Sequence, residues 1–284
     1  MRFEDSAPPS APYRLIVAVD YDPGLAYVPS NKVSDDIVII TKWPNSRGNA
    51  WKTPSTISYA SENPKLDRNH WGFEVTRTHK QYSWTKLLLD CEIDLTQHDD
   101  PLLAAMYGSG FLRLPEGKSA RAVVKDYLQE LYQFLVQSIE KDIGREVLNT
   151  MPMECWITIP AIWSDRAQAD TRAAALEAGF GSRKSDKVNV IPEPEAGALY
   201  ALKPYLGERA VNPIKAGEHF LICDCGGGTV DIVTYEVLQV TPCLSHKEKC
   251  RGNGKYYWHC VCVSHRLMML QEQNVALRLW TDDS

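Results

Sequence analysis

The sequence predicts an α/β fold, a mixed sheet with crossover helices, on three observations. Short apolar runs end abruptly in a carboxylate or a proline, at Leu15–Asp20, Cys155–Pro160 and Val188–Pro192. Helical periodicity fills the stretches between them, most clearly over Lys118–Ile143. A hairpin pattern follows, with an apolar strand, three glycines and an alternating strand between Leu221 and Val237. Strands alternating with helices long enough to cross a sheet indicate such an architecture.

LIVAVD at Leu15–Asp20 reads as a buried strand, and DIVIITKW at Asp36–Trp43 as a second. From residue 44 to 115 regularity is lost, and Trp43, Trp51, Trp71 and Trp84 stand among Pro, Asn, Gly and Ser. That composition suits an inserted subdomain of short strands with its tryptophans in packing roles. In Lys118–Ile143 the apolar residues Val124, Leu128, Leu131, Leu135 and Ile139 recur at spacings of four and three. They form one face of an amphipathic helix that needs a sheet to cover. CWITIP is a strand, Ser164 an N-cap, and Asp165–Ala178 a helix stopped by Gly179. VNVIP is a further strand, and Pro194 sits in the first turn of a helix running to about Leu202.

The chain has 284 residues, of which 44% are hydrophobic, enough for one large domain or two modest ones. A formal charge of -5 gives no electrostatic reason to expect nucleic acid or an anionic membrane as a partner. Residues 1–13 are polar and Pro-rich and read as a disordered leader, without the apolar core of a signal peptide. Eight cysteines without such a signal suit reduced thiols in a cytoplasmic protein.

LICDCGGGTVDIVTYEV carries the chemistry. Gly226, Gly227 and Gly228 remove every Cβ, so that backbone N–H groups can converge on a phosphate. Asp224 and Asp231 flank the turn as hard oxygen ligands suited to a phosphate-bound Mg²⁺. The same glycines also suit an ordinary hairpin turn. Asp20, Glu193 and Asp224 each fall at or just beyond a strand's end, where ligands of α/β folds bind. Asp20 and Glu193 taken singly also suit turn or cap positions.

CDCGGGTVDIVTYEV resembles the second phosphate loop of the actin-type, ribonuclease H-like ATPase fold. IPAIWSDRAQADTRAAALEAGF and VIPEPEAGALYAL resemble connecting segments of the 70-kDa heat-shock family, and its divergent family A member twelve-like branch in particular. The similarity spans roughly Leu15–Val237. It implies a first lobe over residues 14–218, a hairpin at 219–237 that begins a second, incomplete lobe, and binding of ATP or ADP with Mg²⁺. It also implies that Asp224, Glu193 and Thr229 organise the metal shell, the attacking water and the γ-phosphate. Asp20 and Asp224 would serve the metal; Gly226, Gly227, Gly228, Thr229 and Asp231 would serve the nucleotide. For the lysine the family places near the γ-phosphate, Lys86 is the best counterpart, although it also reads as a solvated helix lysine.

Two departures from the family pattern are expected to weaken or abolish hydrolysis. The first turn reads Asp20-Tyr21-Asp22-Pro23-Gly24, where Pro23 has no N–H to donate and Asp22 opposes phosphate. Repulsion between two unit charges in contact near a surface reaches about 4 kcal/mol. Residues 238–284 form a Cys/His-rich tail unlike the rest of the second lobe; the spacing of Cys243, His246, Cys250, His259, Cys260, Cys262 and His265 fits structural zinc poorly. The hairpin edge would then be open to the tail, to protein partners or to self-association. The alternatives are a non-catalytic pseudo-ATPase acting through protein contacts, or a sugar or acetate kinase of the same superfold.

Overall fold

The computed structural model describes residues 14–20, 24–29, 37–90, 113–206, 210, 212–225, 230–241 and 243–250. The expected leader, the tips of both phosphate turns and most of the Cys/His-rich tail lie outside the described residues.

The central sheet has five strands: β1 (Leu15–Asp20), β2 (Gly24–Pro29), β3 (Val38–Ile39), β7 (Met153–Ile159) and β8 (Lys187–Pro192), in the order β3-β2-β1-β7-β8. β1 pairs antiparallel with β2 and parallel with β7, and β7 pairs parallel with β8, so the sheet is mixed as expected. Alternate residues Leu15, Val17 and Val19 of β1 and Met153, Cys155, Ile157 and Ile159 of β7 are buried on one face. Helix α1 (Ala120–Ile143) covers that face with Val124, Leu128, Leu131, Leu135 and Ile139, the five residues its spacing marked. Each side chain of this size contributes about 1.5–3 kcal/mol when fully buried, which fixes the helix to the sheet. Burial also pushes the Cys155 thiol up to about 12, so it is an unreactive core residue.

A short helix α2 (Arg145–Thr150) leads into β7, and α3 (Asp165–Ala178) is the crossover from β7 to β8. Small residues Ala167, Ala174, Ala175 and Ala178 let α3 lie close against its neighbours, α1 among them. Ser164 Oγ accepts from Ala167 N at 3.3 Å as the N-cap. Gly179 ends the helix at φ +114°, a conformation that L side chains avoid.

The segment between β3 and α1 contains a three-stranded sheet of β4 (Thr56–Ser58), β5 (His70–Trp71) and β6 (Tyr82–Ser83), ordered β5-β4-β6. Trp43 and Trp71 are buried and pack on Phe134 of α1 at ring separations of 5.5 and 5.8 Å. Tyr59 donates to Asp126 of α1 at 3.0 Å, and Lys118 pairs with the same carboxylate at 2.7 Å. Trp51 departs from the expected packing role: it is 67% exposed.

Helix α4 (Glu193–Leu202) follows β8 directly and packs on the hairpin of β9 (His219–Cys225) and β10 (Val230–Gln239). Ala198, Leu202, Phe220, Ile222, Val233, Tyr235 and Val237 form a second core there, with Ala161 beside it. The hairpin edge expected to be open is covered on the β10 side by β11 (Ser245–Cys250), from the start of the Cys/His-rich segment. His246 of β11 stacks edge-on against Tyr235 at 4.9 Å, which accounts for one residue of the zinc-ligand pattern. The strand expected over Asp36–Trp43 is limited to two residues, and β2 was not expected. No helix among the described residues is long and apolar enough to cross a membrane.

Candidate functional site

The parallel strands β1, β7 and β8 all end at one edge of the sheet, where Asp20, Pro160 and Glu193 follow from their carboxyl ends. Asp20 is held from two sides. Thr158 of β7 donates its hydroxyl to Asp20 Oδ1 at 3.1 Å, and Lys52 Nζ lies 2.8 Å from Oδ2.

A buried ion pair at this edge joins residues far apart in sequence. Lys86 Nζ lies 2.5 Å from Glu193 Oε1, and the two side chains are 7% and 9% exposed. Lys86 also stands 5.8 Å from the ring centre of Trp163, within range of a cation–π contact. The expectation that Lys86 is a solvated helix lysine is therefore corrected. It lies in a 3₁₀ turn over Thr85–Leu89 whose side chains are largely buried. Glu193 opens α4, where the helix dipole favours a negative charge.

Asp90, four residues beyond Lys86, fixes this turn to the start of α3. It is 4% exposed and accepts from Ser164 N at 3.3 Å and from Ser164 Oγ at 3.2 Å. Ser164 thus caps α3 and receives the turn that carries Lys86, while its neighbour Trp163 meets the lysine itself. Asp90 is a positioning residue that the sequence reading missed. An acid just after an apolar run, with an N-cap serine elsewhere, is too common a pattern to have revealed it.

The hairpin approaches the same edge through Asp231. This side chain is 1% exposed and accepts from Ala161 N at 3.2 Å, tying β10 to the loop after β7. Asp231 stands directly opposite Asp224 in the β9–β10 ladder, so both carboxylates lie on one face of the hairpin. Like charges so placed repel, and donors or a cation at that end offset the cost. Gly226, Gly227, Gly228 and Thr229 lie outside the described residues, as do Tyr21, Asp22 and Pro23. Of the residues expected to form the site, Asp20, Glu193 and Asp231 are thus anchored by the contacts above, and Asp224 is placed by its register with Asp231.

Among the described residues no three His, Cys, Asp or Glu side chains converge as a metal cage. The oxygens of Asp20, occupied by a hydroxyl and an ammonium, and the carboxylate of Asp224 suit a hard cation met through water and shared with a ligand's own oxygens.

No protein-family model matches the sequence. The chain is 24% identical over 317 residues to human "Heat shock 70 kDa protein 12B", covering 89% of this chain and 44% of that protein. It is 22% identical over 290 residues to human "Heat shock 70 kDa protein 12A", covering 79% and 41%. To the "Chaperone protein DnaK" of Thermoplasma volcanium it is 32% identical over 109 residues, covering 38% and 16%. The chain spans less than half the length of the curated relatives it matches. With a mixed α/β sheet consistent with an actin-like ATPase lobe, these similarities over most of the chain, at low identity, support a heat-shock-70-like, actin-type ATPase family for it.

Proposed function

We propose that the chain binds ATP or ADP with Mg²⁺ at the carboxyl edge of its central sheet, as an actin-type nucleotide-binding protein with slow or absent hydrolysis. The observation that carries this reading is the buried Lys86–Glu193 pair at 2.5 Å, set where β8 ends. A lysine and a glutamate are costly to bury, and a pair held by Trp163 and by the Asp90–Ser164 contact is preorganised rather than incidental.

In this reading the glycine turn at 226–228 and Thr229 receive the phosphates through backbone N–H groups and a hydroxyl. Asp20 and Asp224 hold the water shell of Mg²⁺, which neutralises charge on the phosphate oxygens. Glu193 orients water at the terminal phosphate, and Lys86 holds Glu193 in place. Asp231 positions the hairpin through Ala161. Asp22 and Pro23 argue against fast turnover, because one adds negative charge to the first turn and the other removes a donor. A non-catalytic role expressed through protein contacts is the second reading, favoured by the same two residues.

Titration calorimetry with Mg²⁺-ATP and Mg²⁺-ADP, followed by a phosphate-release assay, tests the proposal. Binding of both nucleotides is expected, weakened by Thr229→Ala; any release of phosphate should fall further in Glu193→Gln. A folded sample that takes up neither nucleotide would refute it.

A further inference from the structure

We infer that the outer edge of β3 is a self-association surface, where a second copy of this chain adds its own β3 antiparallel and joins the two central sheets across a twofold axis. The inference goes beyond the proposed function and does not depend on nucleotide binding.

β3 closes the central sheet on one side, with β2 as its neighbour. The pairing fixes which backbone groups face outward. Ala26 stands opposite Ile39, and Ile40 N donates to Leu25 O at 2.9 Å, so Val38 and Ile40 address β2 while Ile37 and Ile39 address the other side. Among the described residues no strand pairs with that side. Thr41 O, next in the outward series, accepts from Ala50 N at 2.7 Å, which limits the open edge to 37–39.

The side chains of this edge are apolar and exposed together: Ile37 is 45% exposed, Val38 37% and Ile39 40%. Successive residues point to opposite faces, so aliphatic surface meets water on both sides of the strand. The contrast with β11 is direct. That strand ends its sheet with exposed Lys247 and Lys249, the kind of charge that guards an edge against pairing, and positions 37–39 carry none.

A second copy is the occupant that fits. In an antiparallel mate centred on Val38, Ile37 of each copy faces Ile39 of the other, and these outward residues exchange N–H and C=O bonds in both directions. The sequence has Asp35 and Asp36 before the strand and Lys42 after it, so antiparallel copies run opposite charges toward each other. Three residues a side fall well short of the ~1,200 Å² that a stable interface buries in total, so the dimer is weak, with a Kd on the order of 100 μM. A twofold contact of this kind closes on itself and adds no third copy.

Sedimentation velocity of the full chain over a concentration series spanning about 5–500 μM tests the inference, with Ile39→Lys, Ile39→Pro and Val147→Lys as variants. The parent should pass from monomer to dimer across the series. Ile39→Lys should weaken the dimer about tenfold or more and keep the melting temperature within about 2 °C of the parent, because the side chain is exposed. Ile39→Pro should weaken it as well, since it removes an outward N–H and leaves the Ile40–Leu25 bond intact. Val147→Lys, at an exposed aliphatic residue of α2, should leave the association unchanged. A parent that stays monomeric throughout, a dimer that survives both Ile39 variants, or growth beyond the dimer would each overturn the inference and leave the proposed function standing.

Discussion

Replacing Lys86 by methionine leaves the Glu193 carboxylate, 9% exposed, without its ammonium partner at 2.5 Å. Breaking a buried ion pair from one side costs about 3–5 kcal/mol, since the remaining charge keeps its desolvation cost and loses its compensation. Methionine restores most of the aliphatic volume against Trp163, so little of the loss comes from packing. Glu193→Gln should cost less, because the amide oxygen still accepts from Lys86. In the double variant Lys86→Met with Glu193→Gln neither charge of the pair remains, and about 2 kcal/mol or more of the Lys86→Met cost should return. Urea unfolding of the four proteins, followed by circular dichroism, gives the cycle. A Lys86→Met cost below about 1 kcal/mol, with single effects that simply add, would refute the reasoning.

Other expectations follow from single contacts. Asp90→Ala removes both oxygens that accept from Ser164 and should cost about 1–3 kcal/mol in urea unfolding, whereas Asp90→Asn, which keeps one acceptor, should cost less; a negligible cost for Asp90→Ala would show that the contact contributes nothing. Gly179→Ala should cost at least about 1 kcal/mol, because φ is +114° and the new Cβ would lie 2.9 Å from the Tyr132 ring; an unchanged melting temperature would contradict this. Burial alone would raise the Asp126 carboxyl, but hydrogen bonds from Lys118, Tyr59 and Lys125 outweigh it and hold it below its ordinary 3.8. The stability it contributes is present above 3.8 and is lost as pH falls through the lower folded value, so Asp126→Asn should flatten the acid side of the stability profile. Burial raises Glu130 above its ordinary 4.5, with Arg68 opposing and Glu74 and Asp126 adding to the rise. Ionised Glu130 therefore costs stability at neutral pH, and Glu130→Gln should be more stable than the parent at pH 7 but not below 4.5.

Much of the fold was legible where a local rule dictates the structure. Ser164 and Gly179 bracket α3 because capping is a property of two residues and their backbone. The five apolar residues of α1 all reached the core because their spacing allows one buried face. β2 escaped because a six-residue strand beginning at a glycine and ending at a proline carries weak alternation. β11, Ser245–Cys250, reads as a charged surface segment, and only its pairing with β10 makes it a strand. At the site, the strand-end carboxylates were legible from position alone. The role of Lys86 was not, because its partner lies 107 residues away and a lysine in an apolar stretch reads as solvated until something buries it. The Lys52–Asp20 pair was hidden for the same reason, its two members lying far apart in the sequence.

The most direct test of the account is peptide-resolved hydrogen exchange of the full chain with and without Mg²⁺-ADP. Protection is expected in peptides spanning 15–29, 85–90, 157–165, 190–196 and 219–233, which carry Asp20, Lys86, Asp90, Ala161, Ser164, Glu193 and Asp231 of the proposed site. Nucleotide binding with protection confined to other segments, such as α2 or β11, would contradict the placement of the site.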